Sequence, residues 1–189
     1  MFTQVKKRFV SGALIVGIFT TGAILPVAAS AKDKIVGAVS SLDENTGAIT
    51  IIDTLVQVDA SNAKIKVKGV NNATLSDIQE GNIIKITGSA DDSGVIEAIS
   101  IKDPVKLNKK YDGKITGKTE KVNTSKDTFV IMGQPVDAGN LPSVIMGGRT
   151  ISFDNMRSGV SVDVYVIAKD SQLVAKKMII RSESCNFCH

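Results

Sequence analysis

The strongest constraint on the fold of this chain is an internal repeat. The stretch from Leu75 to Gly81, LSDIQEG, matches the stretch from Phe153 to Gly159, FDNMRSG, with two apolar positions and the glycine in register. The strands predicted after these stretches also align, because Ile84 corresponds to Val162. A repeat of this period predicts two copies of one small module.

Each module is predicted to consist of short β-strands. Apolar and polar residues alternate in stretches such as 34–41, 48–53 and 82–88, and turn residues at 44–47 and 91–94 interrupt the alternation. A period of two between such turns indicates antiparallel hairpins. We expect three strands, a single turn of helix and a final hairpin in each module. Five short strands suit a small closed or partly open barrel, so the predicted fold class is all-β.

The domain boundaries follow from the repeat. The first module covers 34–103 and the second covers 111–181, with a linker at 104–110 and a short tail at 182–189. The modules differ most at 134–150, where two prolines and three glycines predict a longer, irregular loop. Such a loop is either a surface insertion or a place for binding residues.

The repeated motifs resemble a known family. They are an opening glycine turn at 36–39 that recurs at 112–115, the Leu-x-x-Ile-x-x-Gly turn from Leu75 to Gly81, and a closing hairpin at 95–101. In these features the chain is similar to uncharacterised bacterial exported domains with an OB-like small-barrel fold. The resemblance implies two tandem OB-like antiparallel barrels, and it implies almost nothing about function.

The first 31 residues have the layout of a secretory signal peptide. Residues 6–8 are basic, residues 9–29 form an apolar run, and small residues end at Ala31. We expect a signal-peptide helix, cleavage after Ala31 and a mature chain that begins at Lys32. The alternative is an uncleaved membrane anchor, because the apolar run approaches the length of a transmembrane helix. The expected location is the periplasm or the cell surface and extracellular space, without a stable anchor after cleavage.

Composition and charge weaken several classes of function. The net charge is +4, but the three basic residues of the N-terminal segment account for most of it, so no basic patch is expected on the folded part. Aromatic residues are only 4% of the chain, and there is no tryptophan. Base stacking and sugar stacking both need aromatic rings, and nucleic acid is therefore not an expected partner.

The chain ends in Cys185-Asn186-Phe187-Cys188-His189, which contains its only two cysteines and its only histidine. Cys-x-x-Cys-His is the attachment sequence for c-type haem, and the chain resembles c-type cytochromes at these residues. We expect Cys185 and Cys188 to form the thioether bonds to one covalent haem. His189 would be the proximal iron ligand.

Other uses of this motif stay open. A simple disulfide between Cys185 and Cys188 suits an exported protein, although such a small ring stabilises little. A non-haem copper, nickel or zinc site is another alternative, but structural zinc normally takes four nitrogen or sulfur ligands, and three are present here. A thioredoxin-like dithiol is disfavoured, because no βαβ unit is predicted.

A single histidine restricts the sixth iron ligand. Bis-histidine coordination cannot arise within one chain, and methionine would raise the reduction potential. Met156 and Met178 align with core positions, whereas Met132 and Met146 are expected to be freer. Met146, in the predicted irregular loop, is the preferred sixth ligand. Water, the Lys32 amino terminus, a lysine or a partner's side chain are the alternatives.

The position of the motif suggests how the haem is covered. A large apolar group on a terminal tail should pack against another surface, because wide exposed apolar patches usually mark interfaces. We expect a junction with a redox partner or a second subunit, and head-to-tail contacts would produce rings or filaments.

The predicted function is electron transfer by an exported monohaem cytochrome. The chain is not expected to be an enzyme, because its one histidine is committed to iron and no catalytic triad or phosphate loop is present. The opposing hypothesis is a binding or structural protein of the envelope, with the terminal motif in a disulfide or a non-haem metal site.

Overall fold

The structure is a computed structural model that describes residues 33–139, 141 and 144–181. These residues form thirteen β-strands and two short 3-10 turns, and no α-helix occurs among them. In the first module the elements are β1 (Lys34–Asp43), β2 (Ala48–Ile51), β3 (Val56–Asp59), β4 (Lys64–Val67), a 3-10 turn (Leu75–Asp77), β5 (Ile83–Ala90) and β6 (Ile96–Asp103). In the second they are β7 (Gly113–Asn123), β8 (Thr128–Ile131), β9 (Gln134–Asp137), β10 (Val144–Met146), β11 (Arg149–Ile151), a 3-10 turn (Phe153–Asn155), β12 (Ser161–Lys169) and β13 (Gln172–Ile180).

Five strands of the first module close into a barrel. β1 pairs with β2 and β5, β2 pairs with β3, and β5 pairs with β6, all antiparallel. The parallel pairing of β3 with β6 closes the ring. Its interior is filled by isoleucines that are at most 1% exposed, namely Ile35, Ile49, Ile84, Ile86 and Ile101. The all-β prediction and the closed five-stranded barrel are confirmed.

The second module repeats this pairing pattern. β7 pairs with β8 and β12, β8 with β9, and β12 with β13, all antiparallel, and β9 pairs in parallel with β13. The residues buried inside this second ring include Ile115, Phe129, Val162, Val164 and Met178. The predicted turn of helix is present in both modules as a 3-10 turn. The residue after each turn, Ile78 or Met156, is buried as the repeat predicts.

Two parts of the predicted organisation were wrong. Residues 134–150 are not one irregular loop, because they contain β9, β10 and the start of β11. Pro135 is tolerated in β9 since it is exposed and β13 pairs with that strand only from Val136 onward. The first module has four strands before its turn instead of three. The additional strand, β4, pairs in parallel with the second half of β6.

The two rings are joined by one strand pairing, which we call the seam. β1 pairs antiparallel with β7 along Lys34–Gly37 and Gly113–Thr116. The same part of β1 also pairs with β5, and the same part of β7 pairs with β12. The strands β6, β5, β1, β7, β12 and β13 therefore form one continuous sheet, which we call the spine. One face of the spine holds both cores, because the buried residues in mutual register across it are Ile101, Ile86, Ile35, Ile115, Val164 and Met178.

Glycines are required at the seam because one side chain fills the space beside them. Gly37 lies opposite Gly113, and a Cβ atom at either position would clash with the side chain of Ile52. Ile52 is 1% exposed and adopts a left-handed backbone conformation with φ of 54°. A buried side chain held in this way has little room to move.

We expect Gly37→Ala to lower the free energy of unfolding by about 1–3 kcal/mol, because the added methyl group overpacks the seam. Gly117→Ala in β7 is the matched control. The three atoms nearest to its Cβ would all belong to the Asp33 side chain, with Cγ at 3.1 Å. Urea denaturation of both variants measures the difference, and a control that costs as much as Gly37→Ala would contradict the role given to Ile52.

Candidate functional site

The candidate haem-attachment residues lie outside the described residues. Cys185, Cys188 and His189 belong to the tail at 182–189, and the predicted signal peptide at 1–31 lies outside as well. What the structure describes is the place from which this tail departs, at the end of β13. We call this place the tail root, and it comprises Ile180, Arg181 and the groups in contact with them.

The backbone of the tail root is held by two neighbouring strands. Ile180 pairs with Val162 of β12 on one side and with Met146 of β10 on the other. The amide of Arg181 donates a hydrogen bond to the carbonyl of Ser161 at 3.0 Å. Ile180 is only 7% exposed. The position of Ile180 and Arg181 is therefore fixed by strand pairing.

A charged cluster fixes the side chain of Arg181. Its Nε lies 3.2 Å from Oδ1 of Asp163, and Nζ of Lys114 lies 3.0 Å from Oδ2 of the same carboxylate. The hydroxyl of Thr116 donates a hydrogen bond to Oδ1 at 2.7 Å. Asp163 is half-buried, and desolvation by itself would raise its pKa. The hydrogen bonds from Thr116 and Lys114 and the positive charges of Lys114 and Arg181 outweigh that effect, so the pKa of Asp163 lies below its ordinary value.

Met146 lies at the tail root. It is half-buried, packs against the hydrophobic core, and occupies β10 in register with both Ile180 and Arg149. This position differs from the irregular loop expected for it. The pairing of β10 with β13 joins residues far apart in the chain, and for this reason the local pattern did not reveal it.

The other methionines are buried. Met156 and Met178 are 2% and 0% exposed, which confirms their prediction as core residues. The expectation that Met132 is freer was wrong, because it is 2% exposed. Met132 and Gly133 form a tight turn between β8 and β9 with φ of 50° and 70°. The turn faces Ala90 and Gly94 of the first module instead of solvent, and Gln134 donates a hydrogen bond to the Gly94 carbonyl at 2.6 Å.

The described part of the chain offers no other candidate metal or haem site. Among these residues no group of three or more histidine, cysteine, aspartate or glutamate side chains could hold a metal ion. A depression of about 250 Å³ lies beside β9, and its lining of residues such as Leu55, Pro135 and Leu173 contains no sulfur or imidazole ligand. No helix in the described ranges is long and apolar enough to cross a membrane.

Comparison of the chain with protein families, with curated proteins and with solved structures finds no match. The resemblance to exported OB-like domains therefore rests on the short motifs of the sequence and stays a prediction. The sequence also did not reveal the Asp163 cluster. Its members are Lys114 and Thr116 of β7, Asp163 of β12 and Arg181, the residue after β13. Only the alternation of polar residues along β7 and β12 hinted that they share a face.

Removing the Asp163 charge should destabilise the fold in a pH-dependent way. We expect Asp163→Asn to cost about 1–2 kcal/mol at neutral pH, because Lys114 and Arg181 lose their counter-charge. Since the pKa of Asp163 is lowered by folding, its contribution is present above the unfolded value of about 3.9 and is lost as the pH falls through the folded value. Urea denaturation at neutral and acidic pH measures this change.

The matched control is Asp170→Asn. Asp170 is an exposed residue whose carboxylate lies 3.9 Å from Lys169. An exposed pair at that distance contributes little, so the control should change stability by less than about 0.5 kcal/mol. Equal effects of the two variants at neutral pH, or an Asp163→Asn effect that persists in acid, would argue against the role given to the cluster.

Proposed function

We propose that this chain is an exported monohaem c-type cytochrome that carries electrons and has no catalytic activity of its own. The observation that carries the proposal is the terminal Cys-x-x-Cys-His, which contains every cysteine and the only histidine of the chain. Two thiols at this spacing can each add across a vinyl group of one porphyrin, and the adjoining imidazole is a proximal iron ligand. When bound, haem supplies a one-electron redox couple. Cys185 and Cys188 hold it, and His189 binds its iron.

The predicted signal peptide supports the same proposal, because an exported protein meets oxidants that would otherwise consume two free thiols. The proposed location is the periplasm or the cell surface. The arrangement of the strands supports tandem OB-like barrels. When the five strands of each ring are numbered in chain order, their order around the ring is 1-2-3-5-4, and strand 4 pairs with strand 1. The 3-10 turn lies in the chain between strands 3 and 4 of the ring. This is a Greek-key order that suits an OB-like barrel.

We also propose that the Met146 thioether completes the iron coordination. Met146 is in register with Ile180, and paired strands lie about 4.8 Å apart. From Arg181 to Cys185 there are four residues, which can span at most about 14 Å. A motif tethered so closely to the tail root is within reach of Met146. The rigid pairing of β10 with β13 would keep the sulfur atom near the tail.

The haem would still need cover on its remaining surface, because wide exposed apolar patches usually mark interfaces. A redox partner or a second copy of this chain is the proposed cover. Head-to-tail contacts of the second kind would assemble rings or filaments.

The haem hypothesis is tested by expression of the full chain together with a haem-ligation system. We expect sharp bands in the reduced visible spectrum and a mass increase of one haem per chain, both lost in Cys185→Ala and Cys188→Ala. A mass lower by two hydrogens without a haem band would instead show a disulfide. A stoichiometric metal without the haem band would show a copper, nickel or zinc site. Either result would overturn the proposal.

The role of Met146 is tested by the reduction potential of the haem protein. Met146→Leu should lower the potential, because methionine ligation raises it. The matched control Met178→Leu changes a methionine that is 0% exposed in β13, and should leave the potential unchanged. Both changes conserve volume approximately, so stability should fall by less than about 1.5 kcal/mol. An unchanged potential in Met146→Leu would assign the sixth position to another group.

A further inference from the structure

The outer face of the spine carries a line of lysines that extends across both modules. Strand register places one residue from each of β4, β6, β5, β1, β7, β12 and β13 side by side. Five of these seven positions are lysine, and we call them the lysine row: Lys66, Lys102, Lys85, Lys114 and Lys177. Val36 and Tyr165 occupy the other two positions. With about 4.8 Å between strands, the row is about 29 Å long.

The adjacent row of the same face adds two lysines and several hydroxyl groups. This row is displaced from the lysine row by two residues along each strand. It contains Lys64 and Lys34, and the positions next to them are held by Ser100, Thr87 and Thr116. The one carboxylate among these fourteen positions is Asp163, which already contacts Lys114 and Arg181. The face therefore carries a strong excess of positive charge. The expectation that the folded part has no basic patch does not hold for this face.

Repulsion within the lysine row destabilises the folded protein. Lys66 lies directly opposite Lys102, and Lys102 lies directly opposite Lys85. Like charges in direct cross-strand pairs destabilise a sheet. Within the part of the chain that the structure describes, Lys66, Lys85, Lys102 and Lys177 have no carboxylate within 4.0 Å. Two of them, Lys66 and Lys102, are exposed. A bound polyanion would offset this repulsion.

The composition of the face disfavours a protein partner and a membrane. The centres of protein interfaces are rich in aromatic residues and arginine, and they are depleted in lysine. Among the described residues the exposed large hydrophobic side chains are Val70 and Ile99, and neither belongs to the two rows. The apolar residues of the two rows, Val36, Tyr165 and Ile179, are only partly exposed. The face thus offers little apolar surface that could insert into a bilayer or form the core of a protein interface.

The aromatic residues disfavour single-stranded nucleic acid. Proteins that bind it combine positive charge with free aromatic faces on which bases stack. Tyr165 is the aromatic residue of the row, and its ring is already contacted. Lys114 and Lys177 place their ammonium groups 5.2 and 5.7 Å from the ring centroid, and the ring of Tyr111 lies 4.9 Å away. What the face offers a ligand is ammonium and hydroxyl groups.

We propose that the outer face of the spine binds an anionic polysaccharide, with the lysine row along the charged groups of the polymer and the hydroxyls of the adjacent row beside its sugar hydroxyls. Lysine suits such a ligand, because its ammonium group is a mobile point charge that does not demand the planar geometry of an arginine contact. The site is independent of the terminal motif, and it extends over both modules because the seam joins them.

The test is binding of the full chain to heparin, a polysaccharide with sulfate and carboxylate groups, measured by calorimetry at about 0.05 M and about 0.2 M salt. The triple variant Lys66→Gln, Lys85→Gln and Lys102→Gln should bind on the order of 100-fold more weakly at low salt. The same three positions changed to arginine should retain binding. The unmodified chain should lose affinity steeply at the higher salt.

The matched control changes the lysines Lys121, Lys126 and Lys169 to glutamine. These lysines lie at the hairpin ends outside the two rows. Their substitution removes the same net charge as the test variant does. Heparin affinity equal in the control and in the test variant would overturn the proposal. Tighter binding to an oligothymidine or to phosphatidylglycerol vesicles than to heparin would also overturn it, in favour of nucleic acid or a lipid surface. Neutral dextran should not bind.

Discussion

The pairing of β1 with β7 is the constraint on which the rest of the molecule depends. Each module has a ring of paired strands, but the seam decides how the rings share one sheet. Gly37 and Gly113 face each other there, and Ile52 fills the space that side chains would otherwise occupy. Because Ile35 and Ile115 are in register across the seam, both cores lie on the same side of the spine. The opposite side is consequently one continuous face of the sheet, and it carries the lysine row.

Local sequence patterns predicted the parts of the fold that depend on local interactions. The hairpins, the two 3-10 turns and the burial of Met156 and Met178 follow from alternation and from the repeat, and the structure confirms them. The strands β4 and β10 were missed because each has only three or four residues and a partner more than thirty residues further along the chain. Met132 was misjudged since the turn it forms with Gly133 packs against Ala90 and Gly94, which lie about forty residues earlier in the chain. Propensity cannot encode such contacts.

The two candidate sites also differ in whether the sequence reveals them. The terminal Cys-x-x-Cys-His is visible in sequence because its chemistry requires adjacent residues. The lysine row is invisible in sequence, since its members come from different strands and become neighbours only through register. A net charge that is small after the N-terminal segment conceals this segregation, because most carboxylates of the folded part lie away from the two rows. The net charge of a chain predicts its solubility better than it predicts how charge is distributed over the surface.

The pairing of β13 also has a mechanical consequence. This final strand is hydrogen-bonded to β12 along most of its length, to β9 near its start and to β10 near its end. A pulling force applied through the C-terminal tail would act along the strand, across those bonds, and would load many of them in shear at once. Tension would spread through β12 and the seam into the first module instead of unzipping one strand. Any partner attached at the end of this chain would therefore be anchored to the whole molecule.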